Sequence, residues 1–141
     1  MEIHLDQIAF KTRSGTDIVD ITESVAAKIT QYGVSRGSVL IFVPGATAAL
    51  TTIEYEPGLV SDLKDLFEFI APEAKIYRHN ERWGDGNGHA HIRASLLGPS
   101  LTIPISAGRM TLGTWQQIVF VDFDNVDRER RIVVQISGIS D

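Results

Sequence analysis

The chain has no cysteine among its 141 residues. That absence removes disulfides, thiolate metal ligands and cysteine nucleophiles together. Basic residues are also in short supply: 13 Lys and Arg against 18 Asp and Glu leave a net charge of −5. General nucleic-acid binding rests on neutralising phosphates with Lys and Arg, so no nucleic-acid partner is expected. One local exception is the group Arg128, Arg130 and Arg131, a candidate basic cluster. No apolar run approaches the roughly 20 residues that span a membrane. The opening MEIHLDQIAF lacks the basic start and apolar stretch of a secretory signal. A soluble cytoplasmic protein with no membrane contact is therefore expected. Missing too are the glycine-rich phosphate loops and the Gly-x-Ser-x-Gly elbow of hydrolases.

What is present suffices for one domain, residues 1–141. A 43 % hydrophobic fraction is ordinary for a globular chain that can close a core. EIHLDQIAFKTR reads as a strand ending in a Ser14-Gly15 turn, and a short strand follows at Asp17–Ile21. Thr22 is a candidate N-cap for a helix with Val25, Ala26, Ile29 and Tyr32 on one stripe, closed by Gly33. SVLIFVP (38–44) is a continuous β-branched run, the pattern of a strand buried on both faces. TAALTTIEY is a second strand. Pro57-Gly58 opens another helix, with Leu59, Leu63, Leu66, Phe67 and Ile70 at helical spacing and Pro72 as its stop.

From Ala74 onward the helical period disappears, and KIYRHNERW, HAHIRASLL, SLTIPIS, RMTLGTWQQIVFVDFD and RRIVVQISG read as successive strands. The order is β-β-α-β-β-α followed by several strands. That is α+β, with two helices and mainly antiparallel sheets.

The segment DGNGHAHIRASLLG carries the chemistry. Read as a strand, its period of two places His89, His91, Arg93 and Ser95 on one face, and Ala90, Ile92, Ala94 and Leu96 on the other. Two neutral imidazoles two residues apart can share one divalent ion, zinc or magnesium, with Glu54 as the third donor and an open position for water or a substrate phosphate. The plainer alternative is a polar strand facing solvent or another subunit, without metal. Asp85 and Asn87 lie in the turn before it; Asp85 is a candidate for orienting a histidine, and the Gly-Asn-Gly composition also suits a plain loop. Arg93 is placed to fork onto a phosphate or to form a cross-strand ion pair. Ser95 continues the same face. Trp115 is a stacking platform for an aromatic ring or a packing residue, and Gln116 can hydrogen-bond a ligand amine. His79, beside Arg78 and Asn80, reads as a surface or hydrogen-bonded histidine.

The segments GSVLIFVPGATAALTTIEYEPGLVSDL, YRHNERWGDGNGHAHIRASLLGPSLTIPI, GRMTLGTWQQIVFVDFD and RRIVVQISG, in that order, resemble the YjbQ-like family, also called the secondary thiamine-phosphate synthase family. The resemblance runs from about Ile8 to Gly138. It implies a single α+β domain containing a β-sandwich, assembled as a homotrimer. It also implies a weak thiamine-phosphate synthase activity that joins a pyrimidine pyrophosphate to a thiazole phosphate. In that reading Glu54, Asp85 and Arg93 serve catalysis, while Thr47, Asn87, Ser95, Trp115 and Gln116 line the substrate. The alternative is a non-catalytic trimer that binds a divalent metal or a small phosphorylated metabolite. One departure stands out: better known members carry His-Thr-Thr where this chain has Gly45-Ala46-Thr47. Glu54 or Glu56 is then expected to take over part of the pocket.

Overall fold

Alternation along the first strand sets the architecture. In the computed structural model, which describes residues 1–141, β1 (Glu2–Thr12) pairs antiparallel with β8 (Arg128–Ile139) along its whole length. Ile8 and Phe10 turn inward to the core, and Ile3 and Leu5 face outward. On its other side β8 meets β3 (Arg36–Phe42), followed by β5 (Ser100–Ser106) and the short β6 (Arg109–Met110). A second sheet holds β2 (Asp17–Asp20), β7 (Gln117–Asp122) and β4 (Ala48–Ile53), with β7 in the middle. Every pairing is antiparallel.

The sheets face one another across a core that includes Val39, Ile41, Leu50, Phe120, Ile132 and Val134. Burying each such side chain contributes roughly 1.5–3 kcal/mol. Helix α1 (Thr22–Tyr32) adds Val25 and Ile29 to this core and ends at Gly33, whose φ of 68° suits glycine. The other face of the second sheet is covered by α2 (Pro57–Ile70) and α4 (Gly88–Leu97), where Phe67, Ala90 and Ala94 meet Ala49, Val119 and Phe123. Glu56 caps α2, its carboxylate accepting the N–H groups of Gly58 and Leu59 at 2.8 Å. A short α3 (Arg78–Trp83) leads into α4. The fold is α+β, a sandwich with a helical layer.

Three expectations need correction. The chain has four helices, not two: residues 78–83 and 88–97 are helical, not extended. At helical spacing Ala90 and Ala94 form a small-residue face that lies close on the sheet, while Ile92 and Leu96 are 47 % and 62 % exposed. With the larger apolar residues outside and His89 and Arg93 buried, the helix inverts the usual pattern, and a period of two imitates it. Second, the strand buried on both faces is β7, sandwiched between core and helices; β3 buries Val39 and Ile41 but leaves Phe42 41 % exposed. Third, RMTLGTWQQIVFVDFD is two strands, interrupted by a turn in which Gln116 Oε1 accepts the N–H of Gly113 at 3.1 Å.

Candidate functional site

Placing residues 88–97 on a helix rearranges every group the sequence singles out there. Two positions along an α-helix differ by about 200°, so His89 and His91 point in nearly opposite directions. His89 is 2 % exposed and its Nδ1 has no hydrogen-bond partner. Burial, and then the Arg93 charge, hold it below the ordinary histidine value. His91 is only partly buried and looks outward, its ring 4.5 Å from that of His79. Burial and then His79 push His91 down as well, so it is neutral at pH 7. His79 Nδ1 lies 3.7 Å from Asp85 Oδ1. Asp85 thus faces a histidine, but His79 rather than either member of the His-x-His pair.

His91 lines a hollow of about 260 Å³. Its other walls include Gly45, Ala46, Ser95, Gly98 and Pro99, so the loop after β3 and the far end of α4 close it. Gly45 and His91 therefore do share a pocket. Ser95, one turn on from His91, lies in the same wall, although its hydroxyl donates to Ile92 O at 2.7 Å.

Arg93 is not available to a phosphate. It is 3 % exposed, and its Nε donates to Ala71 O at 3.0 Å, Nη1 to Thr16 Oγ1 at 2.9 Å and Nη2 to Glu68 Oε2 at 2.9 Å. These bonds tie α4 to the end of α2 and to the turn before β2. Thr16 has a φ of 44°, which a β-branched residue rarely adopts, and the guanidinium holds it there. The cross-strand ion pair is likewise replaced by a clasp between helices and a turn.

Glu54 lies apart from the histidines, in a separate hollow of about 510 Å³ shared with Glu23, Tyr55, Trp115 and Gln117. Trp115 is 73 % exposed there, a free ring face rather than packing. Gln116 is committed to the turn and to Thr52 Oγ1 at 3.1 Å. No three His, Asp or Glu side chains converge closely enough to hold a metal ion. A zinc or magnesium ion bound by His89, His91 and Glu54 does not fit this chain.

Beside the hollow lies a polar cluster. Asp122 and Asp124, each 1 % exposed, stand two apart at the end of β7; Arg128 and Arg130 stand two apart at the start of β8. Arg130 Nε donates to Asp122 Oδ2 at 2.7 Å, and Nη2 donates to Asp122 Oδ1 and Thr47 Oγ1, both at 2.8 Å. Arg128 donates to Asp124 Oδ2 at 3.1 Å. Two members of the local basic cluster, Arg128 and Arg130, are thus neutralised by these carboxylates. Thr47, 8 % exposed, donates its own hydroxyl to Asp124 Oδ2 at 3.1 Å. Asn87, 6 % exposed, donates to Asp124 Oδ1 at 3.3 Å; turned over, its amide donates to Asp85 at 3.0 and 3.2 Å. Burial alone would raise the Asp124 carboxyl, but the Asn125 N–H, Asn87, Thr47 and Arg128 outweigh it and hold it below its usual range.

The family model described as "UPF0047 protein YjbQ-like" matches residues 6–139. The chain belongs to the UPF0047/YjbQ-like family. A UPF0047 protein of Archaeoglobus fulgidus is 37 % identical over 129 residues, covering 92 % of this chain and 98 % of that one. The UPF0047 protein YugU of Bacillus subtilis is 34 % identical over 136 residues, 95 % of this chain and 99 % of its own. A YbjQ-like protein of unknown function from Sulfolobus solfataricus has the same fold, with a TM-score of 0.92 at 34 % identity over 98 % of this chain and 99 % of that one. In this UPF0047/YjbQ-like chain no helix is long and apolar enough to cross a membrane.

The sequence pattern does not single out Asp122 or Asp124, marks Arg130 only as part of a basic cluster, and underrates His79. A signal was present: two acids two apart in VDFD and two arginines two apart in RERR, on strands that each end at the same edge of the sandwich.

Proposed function

We propose that the protein binds a small phosphorylated metabolite in the hollow between the Gly45 loop and α4, with His91 as the group that handles a proton. The observation that carries this reading is a neutral, partly exposed His91 in tilted contact with His79 in the wall of that hollow. A neutral imidazole can donate to a phosphoryl oxygen or accept a proton from it. The Asp85 charge favours the protonated form of His91 during such a transfer. A thermal-shift screen of small phosphate esters and divalent ions is the direct test. At least one ester is expected to raise the melting temperature, and less so in His91→Ala; no shift from any ester contradicts the proposal.

A finer reading is a thiamine-phosphate synthase type of transfer. The thiazole nitrogen would attack the pyrimidine methylene, and the C–O bond would break with its electron pair leaving on pyrophosphate. Its support is the second hollow, where the Trp115 face and Glu54 suit an amine-bearing ring. Such a reaction needs positioning rather than a protein nucleophile. Incubation with both substrates and magnesium, followed by assay for thiamine phosphate, tests it; turnover unaffected by Trp115→Ala removes that hollow from the reaction.

Assembly as a homotrimer belongs to the same proposal. Ile3 and Leu5 of β1 and Phe42 of β3 leave apolar surface on the outer face of the five-stranded sheet, which suits contact with further copies. Light scattering should give about three times the 15.5 kDa chain mass; a 15.5 kDa particle contradicts it.

A further inference from the structure

Gly45 is a glycine without a conformational reason to be one, since its φ lies outside the left-handed range. A side chain there would meet Arg130 Nη1 at 3.5 Å and Val43 Cγ1 at 3.8 Å, ordinary contact distances. Its absence therefore uncovers one nitrogen of the guanidinium. The other two are engaged: Nε with Asp122, Nη2 with Asp122 and Thr47. Nη1 donates to no acceptor in the chain. Asp122 fixes the plane of the guanidinium, so a ligand meeting Nη1 need not order a long side chain first. The backbone of Gly45 also forms part of the wall that faces His91.

From these facts we infer that Arg130 Nη1, reached across Gly45, is the docking donor for an anionic oxygen of the ligand, a phosphoryl or carboxylate group. This inference rests on the hollow proposed above, whose walls include Gly45 but not Arg130, and names the ligand end that reaches past Gly45. The surrounding charges, Arg128 and Arg130 against Asp122 and Asp124, sum to zero. Recognition therefore comes from a charge-assisted hydrogen bond at short range, not from a strong positive field, and the site suits a singly charged oxygen better than a polyanion.

The test uses the full chain and methyl phosphate as the probe, followed by calorimetry in the wild type, Gly45→Ala, Gly45→Asp and His91→Ala. Gly45→Ala adds only a methyl group at contact distance and should bind within about threefold of wild type. Gly45→Asp places a carboxylate where the ligand oxygen would sit; it should stay folded and bind at least about tenfold more weakly, the loss of one charge-assisted hydrogen bond. Gly45→Asp binding as well as wild type overturns the inference. Loss in His91→Ala but not in Gly45→Asp keeps the hollow and removes Arg130 from it. Loss in Gly45→Asp without an effect of His91→Ala keeps the Arg130 contact and moves the ligand away from the hollow. No binding by the wild type overturns the inference outright.

Discussion

Two arginines, Arg93 buried and Arg130 half-buried, divide the labour in this molecule. Arg93 spends every nitrogen of its guanidinium on the protein: a carbonyl at the end of α2, the hydroxyl of Thr16 and the carboxylate of Glu68. Arg130 spends two, on Asp122 and Thr47, and keeps Nη1 facing the space beside Gly45. Their partners differ as well. Glu68 is 56 % exposed, whereas Asp122 is 1 % exposed. Arg93 is thus a clasp that joins helices to a turn, and Arg130 is a rigid donor supported from behind by a buried charge. Residue type does not separate them; the count of engaged nitrogens does.

The largest effect should come from Arg130→Met. It strands Asp122 in the interior, partly relieved by the Thr12 hydroxyl at 2.6 Å and the Asp124 N–H at 3.0 Å. A loss of about 3–5 kcal/mol is expected in urea unfolding. Arg93→Met follows at about 2–4 kcal/mol, because it orphans Ala71 O and Thr16 Oγ1 but leaves Glu68 in water. Equal costs, or the reverse order, would break the comparison. Glu68→Gln sharpens it: that ion pair is half in solvent, so less than about 1 kcal/mol is expected.

The smallest effect is a pH slope. The folded-state pKa values of His89 and His91 both lie below the ordinary 6.5, so the unfolded chain binds more protons in mildly acid solution. Stability is then complete above about pH 6.5 and declines as the pH falls below it. Asp124, also lowered, adds a further loss only below its ordinary 3.8. Melting temperatures measured from pH 7 to 5 should fall in the wild type and fall less in His89→Phe.

Much of the sandwich was readable from residues alone. Alternation in EIHLDQIAFKT, the Pro57-Gly58 helix start and Gly33 all stand where the structure has them. The segment 78–97 was not, for a physical reason. A helix that buries His89, Arg93 and two alanines while exposing Ile92 and Leu96 has no apolar stripe to detect. Its His-x-His-x-Arg spacing matches a strand by coincidence. That error carried the site with it: the imidazoles separated, Arg93 turned inward and Glu54 fell in another hollow. Thr47 and Asn87 still belong together, both donating to Asp124, and the Asn87 amide reaches Asp85 instead when it is turned over. Their link to Arg130 depends on contacts between strands far apart in sequence, which no local pattern encodes.

His91, not His89, is the histidine expected to meet the ligand. Carbon-detected ring signals of His4, His79, His89 and His91 followed during titration with methyl phosphate test this most directly. His91 and the adjoining His79 should move and saturate together, while buried His89 stays still. Saturation with His91 unmoved, or movement of His89 alone, would contradict it.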